Sequence, residues 1–110
     1  MRLSVLCIVS VLVIVSPLFP SRADRAFLSG NVLYSMYASD PHGFAIYSVA
    51  VADALATATI SGFRACIAYA TTMEQISDIV INYLRAHPER RQLSANSLVA
   101  SALSEAFPCR

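Results

Sequence analysis

The segment Cys66–Gln92, CIAYATTMEQISDIVINYLRAHPERRQ, gathers many of the chain's reactive side chains. Cys66 and His87 are the residue types of a thiolate–imidazole nucleophile pair, and Glu89, Arg90 and Arg91 are those of a charged recognition cluster. Nucleophilic catalysis needs more than this. No third residue is apparent to orient the histidine, and an exported thiol with an available partner is usually oxidised. Metal chemistry is also poorly supplied. His42 and His87 are the two histidines, and neither has thiolates or carboxylates close by at a ligand spacing. Both read as helix-end residues. Asp53 is a lone carboxylate on an apolar helix, and acid–base work calls for a second. It is expected to be shielded and to serve packing, with Arg64 as its candidate partner. A Gly-rich phosphate loop, Cys-x-x-Cys, His-Glu-x-x-His and Gly-x-Ser-x-Gly are all absent. The residues predict no catalytic site, no metal and no cofactor.

The N-terminus sets the compartment. Arg2, an apolar run over Leu3–Phe19 and the small residues Ser21 and Ala23 form a secretory signal peptide, residues 1–23. The alternative is an uncleaved anchor, but the run is short for a membrane span and contains Pro17. The remaining domain is 24–110. Setting aside Arg2 and Arg22 leaves six of the eight basic residues, all arginine, against seven acids. Such a balance points away from nucleic acid, and from membrane contact after cleavage. The apolar fraction of 56% is partly the signal's own. With Cys7 in the signal, Cys66 and Cys109 remain, an even count that reads as one disulfide. The closed loop contributes roughly 4 kcal/mol in the chain-entropy treatment.

The elements that must carry these residues are helices. Periodicity predicts them over about Ala26–Ala38, Pro41–Thr59, Thr72 to His87 and Ser94–Ala106. The fold class is therefore all-α, one compact domain of four main helices braced by one disulfide. Asp40 with Pro41 and Ser94 are N-terminal signals, and Thr72 with Gln75 forms a capping box. The second helix is apolar or small nearly all round. It is expected to be the central one, with Ala50, Ala54 and Ala58 letting a neighbour approach. His87–Gln92 connects two antiparallel helices, with Glu89, Arg90 and Arg91 at its tip. That tip reads as a solvated turn or as a contact surface.

From Cys66 onward the sequence resembles the Rap/Tai family of immunity proteins, small exported helical proteins associated with type VI secretion. The shared spacing is carried by Cys66, Thr72 and Gln75, and then by Tyr83, Leu84, His87, Pro88, Glu89 and Arg91. It ends in Leu98, Val99, Ala102, Leu103, Ala106, Phe107, Pro108 and Cys109. Tyr47 and Asp53 match a weaker upstream element. Tyr37 and Phe44 stand where members often have a second cysteine pair, which suggests that aromatic packing replaces a disulfide. Ala68 and Ala70 stand where the family has proline and glycine. The resemblance implies a periplasmic, non-enzymatic protein that binds and occludes a peptidoglycan-cleaving amidase effector, with members often forming homodimers. A different class, a structural or adaptor domain of the cell envelope, remains the alternative. Two loops are candidates for the partner contact: the tip, with His87, Glu89, Arg90 and Arg91, and the Ser39–Gly43 turn, with Asp40 and His42.

Thiol titration of the native mature chain is expected to find no free thiol. Two reactive thiols would contradict the Cys66–Cys109 bridge.

Overall fold

The computed structural model of the chain describes residues 27–110, and the expected signal peptide lies outside them. The helices are α1, Gly30–Ser39; α2, Pro41–Leu55; α3, Met73–Ala86; and α4, Ala95–Ala106, with a 3-10 turn at Pro88–Arg90. Among the described residues the only β-type pairings are two isolated bridges, so the fold is all-α. No described helix is long and apolar enough to cross a membrane.

Local chemistry sets most helix starts. The Asp40 carboxylate accepts the Gly43 N–H at 2.9 Å, and Pro41 occupies the first turn of α2. At α3 the Thr72 hydroxyl accepts the Gln75 N–H at 3.2 Å. Gln75 Oε1 in turn accepts the Thr72 N–H at 2.8 Å, completing the capping box. Ser94 precedes α4 as expected, but its hydroxyl pairs with that of Ser97 at 2.8 Å and not with the backbone.

The most buried helix is α4, although α2 packs against all three of the others. Its residues Ala95, Leu98, Val99, Ala100, Ser101, Ala102 and Leu103 are all buried, so the middle of α4 is covered on every side, while Asn96, Glu105 and Ala106 stay exposed near its ends. Small side chains allow this, because they let neighbouring backbones come close on several faces at once. In α2 only Phe44, Ser48, Val51 and Leu55 are buried. Ile46, Ala50 and Ala54 face outward, and Ala58 lies beyond the end of the helix. Asp53 shares the open side. It is exposed, and it has no ion pair with Arg64 or any other described residue. Water solvates its carboxylate, so the shielded partner expected for it is not required. The helix stops at Leu55, and the Thr-rich continuation leads into a tight reversal. Ile60 and Phe63 exchange backbone hydrogen bonds across Ser61 and Gly62, at φ 51° and 80°. This is the pattern of a two-residue hairpin turn with positive φ at both central positions.

α1 begins at Gly30, later than the periodicity of Phe27 and Leu28 suggests. Ser29 is held against Ser94 in a bridge, and its hydroxyl caps the Val32 N–H at 3.3 Å. Gly30 sits where α1 presses on the α3–α4 hairpin. A Cβ there would collide with Leu98 Cδ1 and lie 2.7 Å from the Arg91 carbonyl oxygen. Further along, the Tyr37 and Phe44 rings pack edge to face at 5.2 Å, an aromatic contact between α1 and α2.

Helix propensity alone predicts that Gly30→Ala stabilises by about 1 kcal/mol. The collision predicts the opposite sign, a loss of about 1–3 kcal/mol. Urea denaturation distinguishes the two.

Candidate functional site

The charged tip is built into the fold. After α3 ends at Ala86, Pro88 opens the 3-10 turn, which swings Arg90 and Arg91 back toward the helices. Arg91 Nε donates to the Leu84 carbonyl at 2.8 Å, satisfying an acceptor in the last turn of α3. Its guanidinium carbon lies 3.7 Å from the Tyr34 ring centroid on α1, a cation–π contact. The Arg91 carbonyl accepts the Asn31 N–H at 2.7 Å. Nearby, Leu93 O accepts from Gly30 N and Ala95 N donates to Leu28 O, both at 2.8 Å. The tip thus stitches the start of α1 to the start of α4.

Arg90 is also engaged. Its Nη1 donates at 2.8 Å to the Tyr83 hydroxyl, which shares a 2.9 Å hydrogen bond with Ser101 in the interior. The bond to Tyr83 raises the Arg90 pKa above its ordinary value. His87 is half-buried against Tyr83, with ring centroids 4.3 Å apart. Its Nδ1 is 3.3 Å from Glu89 Oε1, and Arg90 Nε is 3.9 Å away from the same oxygen. Glu89 is the most open of the four. Its own backbone N–H, then the His87 ring and the charges of His87 and Arg90, hold its carboxyl below the ordinary value against a smaller opposing effect of desolvation. The reading of a solvated tip is corrected at Arg91, which is half-buried; Arg90 stays exposed, with one guanidinium donor anchored on Tyr83.

The second candidate loop, Ser39–Gly43, lies at the other end of α1, roughly 15 Å away for a helix of this length. Asp40 uses its carboxylate as a cap, and His42 is exposed. The structure gathers His87, Glu89 and Arg90 around Tyr83 but does not bring Asp40, His42 or Asp53 into that cluster.

The opposite end of α3 and α4 holds the disulfide. Cys66 and Cys109 are bonded, with Cα atoms 5.0 Å apart, and the Cys66 N–H donates to the Phe107 carbonyl at 2.8 Å. The bond removes the thiolate that a Cys66–His87 nucleophile pair requires. Between Cys66 and the cap at Thr72 the chain makes a turn, closed by Thr71 N–H to Ala68 O at 3.0 Å. Tyr69 stands on this turn with its side chain fully exposed. Beside it lies an open groove of about 550 Å³, lined by Ala68, Ala70, Thr71, Gln75, Asp78, Ile79 and Phe107. A hollow of about 300 Å³ continues from Ile79 to Tyr83 and His87. Sequence reasoning did not single out Tyr69. The available signal was its position between two alanines, outside any apolar period. Among the described residues no three His, Cys, Asp or Glu side chains group as metal ligands do.

A profile of the Rap1a immunity proteins matches residues 25–109. The chain belongs to that family. Searches of curated proteins and of solved structures return no match.

The two roles found at the tip predict different mutational costs. Arg91→Ala removes a charged hydrogen bond and a ring contact and is expected to destabilise by about 1–3 kcal/mol in chemical denaturation. Glu89→Ala is expected to stay within about 0.5 kcal/mol.

Proposed function

We propose that this member of the Rap1a immunity proteins is exported to the periplasm, where it binds and occludes a peptidoglycan-cleaving amidase effector of type VI secretion. The family match over residues 25–109 is the observation that carries this reading. The disulfide supports export, because such bonds persist in oxidising compartments. The side chains support inhibition and not turnover. Cys66 is spent in the disulfide, and Asp53 is solvated on the open side of α2.

Occlusion needs a rigid surface more than reactive groups. Capped helices fixed at both ends present such a surface with little ordering cost on binding. The reading includes the homodimer that the family resemblance implies. Of the tip and turn residues, Glu89 and His42 keep the most freedom to meet a partner. Arg90, Arg91 and Asp40 would do so while keeping their internal hydrogen bonds.

The test is affinity capture with oxidised Asp24–Arg110 as bait against envelope and secreted fractions of the source cells, read by mass spectrometry. A stoichiometric cell-wall hydrolase is the expected result. Its absence at bait concentrations well above nanomolar would overturn the reading and favour an envelope adaptor.

A further inference from the structure

The tip is charged but committed to the fold, whereas the disulfide end carries an aromatic side chain that the fold does not use. We infer that Tyr69 is the anchor of effector docking, entering an apolar pocket of the effector while a cation-bearing ridge of the effector lies in the groove beside Asp78. This inference rests on the immunity reading above.

Tyr69 is fully exposed, whereas the other four tyrosines are buried or half-buried. Its neighbours in sequence, Ala68 and Ala70, are too small to cover it. The ring therefore stands clear of the surface. A tyrosine offers a large apolar body and a hydroxyl for two rotatable bonds, which is why it recurs at the centre of interfaces.

The turn beneath it is fixed from both sides. Upstream, the disulfide and the Cys66 N–H to Phe107 O bond hold the chain against the end of α4. Downstream, Thr72 is locked to Gln75 in the capping box, and Thr71 N–H to Ala68 O closes the turn itself. An aromatic on a turn restrained this way loses little backbone freedom on docking.

The groove states the chemistry of what lies against it. Ala68, Ala70, Ile79 and Phe107 give it an apolar lining, and Asp78 is the one charged side chain that lines it. A ridge that fills it is therefore apolar with one cation placed to meet Asp78. An enzyme that cleaves peptidoglycan handles stem peptides bearing carboxylates, so cations at the lip of its cleft are chemically apt. Asp78 would meet one of them in place of a substrate carboxylate.

The probe is the hydrolase captured by the wild-type chain, purified and titrated with variants whose folding is checked by thermal melting. Tyr69→Ala is expected to weaken binding at least about 30-fold. Tyr69→Phe keeps the ring and is expected to retain most of the affinity. Asp78→Arg is expected to weaken binding about 10-fold or more, with slower association at low salt. Arg90→Glu reports on the tip and is expected to cost less than Tyr69→Ala. Wild-type binding with Tyr69→Ala within twofold, or a largest loss at Arg90, would overturn this inference and leave the immunity reading standing. A wild-type chain that binds no hydrolase would overturn both.

Discussion

At one end of α4 the Ala95 N–H donates to Leu28 O, and at the other the Phe107 carbonyl accepts from Cys66 just before Cys109 closes the disulfide. Everything else hangs on this helix being buried through its middle, Leu98–Leu103, and tied at both ends. A domain this small removes only about 60–65% of its unfolded surface from water, so its core has little to spare. Burying six consecutive residues of one helix, Leu98–Leu103, is an efficient use of that core. The middle of α4 is closed to solvent, and backbone groups at its two ends find partners in the protein. The Leu28 and Cys66 segments supply them.

The two ties divide the surface between them. At the start of α4 the tie is made with charged residues. Arg91 bonds the end of α3, covers Tyr34 of α1 and passes its carbonyl to Asn31. The His-Pro-Glu-Arg-Arg sequence is then understandable without any partner. Proline starts the 3-10 turn, and the arginine locks it. At the end of α4 the tie is covalent and asks little of the neighbouring side chains. Tyr69 and the groove lining beside it are left free for recognition.

Interactions within a few residues were legible in the sequence. Asp40 before Pro41, Thr72 with Gln75 and the termination of α3 before Pro88 act through local backbone geometry and appear as read. The disulfide was legible because only two cysteines remained to pair. What depends on the third dimension was not. α2 and α4 are both rich in alanine and serine, and composition cannot say which one is the more deeply buried. The choice fell on α2, and Asp53 with Ala50 and Ala54 turned out to face water. The start of α1 was displaced by a bridge to Ser94, far away in sequence. Arg91 reads as solvent-facing charge because the ring it covers, Tyr34, belongs to α1, far away in sequence. The exposure of Tyr69 does not follow from residue type, because the turn that carries it is set by the bond from Cys66 to the far end of the chain.

Hydrogen exchange of the oxidised chain, alone and with the captured hydrolase, tests this division most directly. In the free protein the slowest amides are expected in α4, around Val99–Leu103, with slow exchange also at the backbone bonds that join Gly30 and Asn31 to the tip. The hydrolase is expected to add protection across Cys66–Ile79 and to leave His87–Arg91 unchanged. New protection at His87–Arg91 with none around Tyr69 would contradict the division and return recognition to the charged tip.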